Sequence, residues 1–120
     1  MSNSAEKSMG SDSFLTIEAS ELLDEVKTLK EEGWHFCQAC AYREDDEIEL
    51  IYTFENESRL LSLKMMVSEE TAVDSITFVF WTAFDAELDM ARDCGVKFHH
   101  VAEEHRREFY AVADISYAAE

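Results

Sequence analysis

The chain has 120 residues, enough for one domain with one modest core, and its 47% hydrophobic and 12% aromatic content excludes global disorder. Acids outnumber bases 27 to 10, a formal net charge of −17, which repels phosphate backbones and anionic lipid and favours a basic protein partner over nucleic acid. No apolar run approaches the roughly 20 residues of a membrane span, so direct membrane insertion is set aside as well.

The opening "MSNSAEKSMGSDS" has neither a basic start nor a hydrophobic segment, and residues 1–12 read as a disordered tail. Three cysteines without a secretory signal point to reduced thiols in the cytoplasm, not to a disulfide framework. Proline is absent and glycine occurs three times, so few sharply punctuated turns are expected.

A single domain is expected over 13–98. "SFLTI" reads as a short entrance strand. In "ASELLDEVKTLKEEG" the residues Leu22, Val26 and Leu29 recur at helical spacing, with Leu23 widening the stripe. Ser20 is the expected N-cap and Gly33 the C-terminal stop.

From Trp34 the period changes to two. "WHFCQACAY" places Trp34, Phe36, Gln38, Cys40 and Tyr42 on one face, "EIELIYTF" places Ile48, Leu50, Tyr52 and Phe54 together, and "RLLSLKMMV" does so for Leu61, Leu63, Met65 and Val67. With the polar turns "REDDE" and "ENES" between them, these segments predict an antiparallel meander, one face of which the first helix covers. "SEETAVDS" reads as a polar connection, and "ITFVFW" is open between strand and helix. A helix is predicted from about Phe80 to Cys94, and "VKF" after Gly95 as an edge strand. Residues 99–120 form a C-terminal extension in which helical and alternating patterns compete. The fold class expected is a two-layer α+β domain, a mainly antiparallel sheet with helices packed on it.

"CQAC" invites a zinc or redox reading, but residues three apart on a regular strand face opposite ways, so Cys37 and Cys40 are not expected to share an ion. The histidines His35, His99, His100 and His105 show no metal spacing on a defined helix, and there is no glycine-rich phosphate loop. No metal, cofactor, small-molecule substrate or catalytic residue is therefore assigned. His35 beside Cys37 on one strand face leaves a thiol enzyme as a rival reading.

On a helical wheel of "FDAELDMARDCG", Phe80, Phe84, Leu88 and Ala91 make the core arc. Asp85, Asp89 and Asp93 run along the opposite side, where like charges persist in water or against a cationic partner, and Arg92 relieves part of the repulsion. A straight row of carboxylates does not surround an ion. Glu87 lies at the edge of the core arc, either as a snorkelling boundary glutamate or as a carboxylate that receives a basic side chain from another subunit.

The order helix, glycine, meander, then "DSITFVFWTAFDAELDMARDCGVKF", resembles the 30 kDa subunit of NADH:quinone oxidoreductase, the respiratory complex I. Ser75, Ile76 and Thr77 match the start of that family's signature and Ala83 its alanine. Glu87 and Asp89 match the two acids of its Glu-Arg-Glu triplet, and Gly95-Val96 its close. "LKEEGWHF" and "LLSLKMMV" also fit, so the likeness runs over residues 14–98. The sequence departs from the pattern in having Leu88 for the triplet's arginine, Arg92 where an aspartate is common, and no proline. Those departures and the short chain are similar to the compact D-type subunit of Ech-type energy-converting nickel–iron hydrogenases.

The resemblance implies a non-catalytic structural subunit without cofactor, peripheral on the cytoplasmic face of a membrane complex. It would brace the hydrogenase-type large and small subunits that hold the metal centres. Its interface residues would be Glu87, Asp85, Asp89, Arg92 and Asp93, with Ser75, Ile76, Thr77, Ala83 and Gly95 as structural motif residues. A free-standing acidic adaptor or regulator of a basic protein is the alternative.

Overall fold

The computed structural model describes residues 12–101. Its strands are β1 (Asp12–Thr16), β2 (His35–Glu44), β3 (Glu47–Asn56), β4 (Arg59–Ser68), β5 (Ala72–Asp74) and β6 (Lys97–His99). The helices are α1 (Leu22–Glu31) and α2 (Phe84–Cys94), each entered through a 3₁₀ turn, Ala19–Glu21 and Trp81–Ala83. The fold is α+β, with a mixed four-stranded sheet in the order β1-β4-β3-β2 and a separate parallel ribbon of β5 and β6.

The meander β2-β3-β4 forms as its alternation demands, and β1 adds in parallel to β4, with Phe14 opposite Ser62 and Leu15 opposite Leu63. One sheet face carries Ile48, Leu50, Tyr52 and Phe54 from β3 and Leu61, Leu63, Met65 and Val67 from β4, all buried. Leu22, Val26 and Leu29 of α1 and Met90 and Ala91 of α2 join the same cluster, so both helices lie on that face. Lys30 fastens α1 to the segment before α2, donating to the Val79 carbonyl at 3.1 Å with its ammonium 5.2 Å from the Phe80 ring centroid.

Several expectations are corrected. The pairing of β2 skips Cys37: Phe36 faces Phe54, and the next pairs are Gln38 with Thr53 and Ala39 with Tyr52. One extra residue reverses the alternation. Ala39 and Ala41 then face the core in place of Gln38, Cys40 and Tyr42, and Tyr42 is 61% exposed. The regular alternation that set Cys37 against Cys40, and His35 beside Cys37, does not hold across this bulge. All three cysteines are free thiols.

Sharp turns are present without glycine. Asp45 (φ 58°) makes the first hairpin, and Glu57 (φ 51°) and Ser58 (φ 71°) make the second, the two successive positive φ values of a type I′ turn. Glu18, not Ser20, closes the helix start, its backbone N–H donating to Glu21 at 2.8 Å in a capping box. Gly33 (φ 91°) stops α1 as expected.

"TAVDS" contributes β5, and "VKF" pairs with it instead of with the main sheet. Ile76–Phe80 is a hydrogen-bonded turn, so α2 begins at Phe84 and not at Phe80. The readings of the tail and of 102–120 lie outside the described residues.

Candidate functional site

α2 is amphipathic, but its buried side is turned from the one the wheel suggests. Ala83, Glu87, Met90 and Ala91 are buried, while Phe84 and Leu88 are only partly so. Glu87 is therefore in the middle of the buried arc and 0% exposed. It neither snorkels at a boundary nor faces outward to receive a partner's base, the two readings the sequence left open.

Donors from distant parts of the chain explain why a carboxylate is tolerated there. Tyr52, from the centre of β3, donates its phenol O–H to Glu87 Oε2 at 2.9 Å. The Ile76 backbone N–H donates to the same oxygen at 2.9 Å, and Ser75 Oγ donates to Oε1 at 2.7 Å. Ser75 in turn sits 2.7 Å from the Thr77 hydroxyl and accepts the Thr77 N–H at 3.1 Å. Its own N–H donates to the His99 carbonyl at 2.9 Å, which fixes the turn to β6.

Ser75, Ile76, Thr77 and Glu87, dispersed in sequence, thus close into one knot joining α2, β3 and the β5–α2 turn. Ala83, 0% exposed at the N-cap of α2, lies one turn before Glu87 in the same packed arc, which leaves little room for a larger side chain.

The donors around Glu87 are all neutral. Burial raises its pKa from 4.5 to about 7, and the hydrogen bonds from Ile76, Ser75 and Tyr52 only partly offset that rise. Burial, and then the negative charge of Glu87, pushes the Tyr52 phenol well above its ordinary value, so Tyr52 stays a donor.

Gly95 has a distinct role. It ends α2 in the left-handed region at φ 77°, and a Cβ there would lie 3.0 Å from Arg43 Nη1. Arg43, near the end of β2, uses that nitrogen to donate to the Cys94 carbonyl at 3.0 Å and pairs with Glu69 through the other. A guanidinium thus caps the negative end of the helix where only a glycine leaves space.

Asp85, Asp89, Arg92 and Asp93 are exposed on the far side of α2. Arg92 bonds to both Asp89 and Asp93, so one basic group partly neutralises the row from within. The structure does not bring this row together with Glu87.

The sequence reading missed a third grouping. Asp74, His99 and His100 converge at the end of the β5–β6 ribbon, although no local spacing connects them. The only signal was an adjacent histidine pair just after a short strand; the carboxylate comes from 25 residues before His99, through strand pairing.

Fold and site define a two-layer α+β domain whose helix α2 is bound to its sheet through a buried carboxylate. Over residues 15–115 the sequence matches the family described as respiratory-chain NADH dehydrogenase, 30 Kd subunit, and the chain belongs to that family. The match extends past the 14–98 stretch that carried the resemblance. No curated protein matches the chain.

Among solved structures, the fold is shared with a chain of the membrane-bound sulfane sulfur reductase (MBS), an archaeal respiratory membrane complex. The TM-score is 0.70 at 18% identity, over 79% of this chain. This protein spans 61% of that chain's length. Among the described residues no helix is long and apolar enough to cross a membrane.

Proposed function

We propose that this protein is a structural subunit, holding no redox cofactor, of a membrane-bound complex I-like oxidoreductase of the energy-converting nickel–iron hydrogenase type. It sits peripherally on the cytoplasmic arm, braces the large and small subunits that carry the metal centres, and does not itself handle electrons. Family membership supports the respiratory-complex setting, and the fold shared with a chain of an archaeal respiratory membrane complex agrees with it. The hydrogenase branch rests on Leu88 and Arg92.

The observation that carries the reading is where the family's residues go. Ser75, Ile76, Thr77 and Glu87 are spent on a closed internal knot, and Gly95 on a helix end, so what the family pattern supplies here is a shape. What the chain offers outward is surface. The acidic row of α2 is exposed, and so are four large side chains on the sheet face away from the helices, Phe14 61%, Tyr42 61%, Leu60 36% and Met66 56%, around the buried Thr53 and Ser62. Tyr42, Glu49 and Met66 lie in register across that face. Large apolar side chains rimmed by charge suit an interface between subunits.

The test is isolation of the tagged chain from its native host in mild detergent. Hydrogenase-type large and small subunits should accompany it. Elution alone at low salt refutes the subunit reading, and capture with an unrelated basic protein supports the acidic adaptor instead.

A further inference from the structure

Asp74 ends β5, His99 ends β6, and the two are direct partners in the parallel ribbon. Oδ1 of Asp74 lies 2.8 Å from His99 Nε2 and 2.8 Å from His100 Nδ1. Neighbouring residues on a strand ordinarily point apart. His100 instead takes a left-handed backbone, φ 60°, and its ring stacks on that of His99 with centroids 4.3 Å apart and planes at 31°. Non-glycine residues in that region are uncommon, and such backbones gather at functional sites. Here the departure accompanies two imidazoles aimed at one carboxylate.

We propose that Asp74, His99 and His100 form a binding site for one divalent transition-metal ion of the zinc class. The donor atoms, two imidazole nitrogens and one carboxylate oxygen, all lie within 4.8 Å of one another. Around a tetrahedral ion with bonds of about 2.0–2.2 Å, ligand atoms sit about 3.3 Å apart, so the 2.8 Å contacts need open by only about half an ångström. This donor set suits zinc and its neighbours, whereas calcium and magnesium require more oxygens.

Without an ion, each imidazole can offer an N–H to Asp74. With one bound, the same nitrogens give their lone pairs and the ring protons reside on the opposite nitrogens. No oxidation state changes in this step. The three side chains leave a fourth position for water or for a side chain of another subunit.

The setting favours occupancy. Asp74 and His99 keep 27% and 34% of their side-chain surface, and His100 keeps 61%, so an ion can enter without unfolding the ribbon. The Ser75 N–H fixes the His99 carbonyl at 2.9 Å, which gives the ligand pair a backbone support. A net charge of −17 concentrates cations around the chain. A bound ion would tie β5 to β6 immediately before the Ser75–Glu87 knot and so brace the route into α2. The site is independent of the hydrogenase reading, because it belongs to the isolated chain.

The test uses the full chain stripped with a chelator and titrated with zinc by calorimetry, with cobalt as an optical probe. One equivalent of zinc should bind and raise the unfolding temperature. Bound cobalt should show visible bands of nitrogen and oxygen ligation without a thiolate charge-transfer band. Asp74→Asn, His99→Ala and His100→Ala should each weaken binding by more than the roughly tenfold typical of outer-shell changes. A Cys37→Ser, Cys40→Ser chain should bind as before. Absence of binding, unchanged binding in both Asp74→Asn and His99→Ala, or its loss in the cysteine variant would each overturn the site.

Discussion

Replacing Glu87 by glutamine keeps the size of the side chain and removes its charge. If the amide oxygen takes the place of Oε2, it still accepts from Tyr52 and Ile76. The amide nitrogen then faces Ser75 Oγ, which accepts from it and turns its own hydrogen to Thr77. The fold should therefore survive.

What changes is the response to pH. The folded pKa of about 7, against 4.5 for a free glutamate, amounts to about 3 kcal/mol at roughly 1.4 kcal/mol per pH unit. Because the folded value is the raised one, that stability is fully present below 4.5 and is lost as pH climbs through about 7. Many other acids titrate as well, so the difference between the two proteins is what matters. Urea unfolding of both at a series of pH values gives it.

Relative to wild type, Glu87→Gln should gain about 3 kcal/mol between about pH 4.5 and pH 8, with the steepest change between 5 and 7. Against a typical total of about 5–15 kcal/mol that is readily measured. Parallel curves across the range would show that Glu87 is not a buried carboxylate held by neutral donors alone.

Tyr52→Phe removes one donor to Glu87. It should cost about 1–3 kcal/mol, with the larger loss at pH 8 where the carboxylate is ionised; equal losses at pH 6 and 8 would contradict the knot. Gly95→Ala forces a Cβ to 3.0 Å from Arg43 Nη1 at φ 77°, and should lower the urea midpoint by the equivalent of about 1–2 kcal/mol; an unchanged midpoint would argue against the clamp on the end of α2. Asp85→Asn and Asp93→Asn should alter monomer stability by less than about 0.5 kcal/mol yet release partner subunits at lower salt during co-purification. Glu87→Gln should retain its partners in the same assay, because its carboxylate faces only its own chain. Equal salt tolerance of wild type and both aspartate variants would remove the acidic row from the interface.

Periodicity by itself determined the elements. Leu22, Val26 and Leu29 at helical spacing, and the alternations of β3 and β4, are consequences of 3.6 and 2 residues per repeat that need no partner to be read. They place the meander, α1 with its apolar side, the approximate span of α2, and the glycine stops at Gly33 and Gly95. The motif Ser75-Ile76-Thr77 with Glu87 was also visible, but as a likeness without a reason.

Only the tertiary structure decided what those residues do. A wheel leaves Glu87 at the edge of the core arc because it contains no Tyr52 phenol and no Ile76 N–H; full burial of Glu87 becomes tolerable once β3 and the turn before α2 bring these donors to it. The bulge at Cys37 likewise depends on the pairing of β2 with β3, and it reverses faces that alternation alone had assigned. Asp74 meets His99 and His100 through the register of two short parallel strands, a relation between segments that no spacing along the chain encodes.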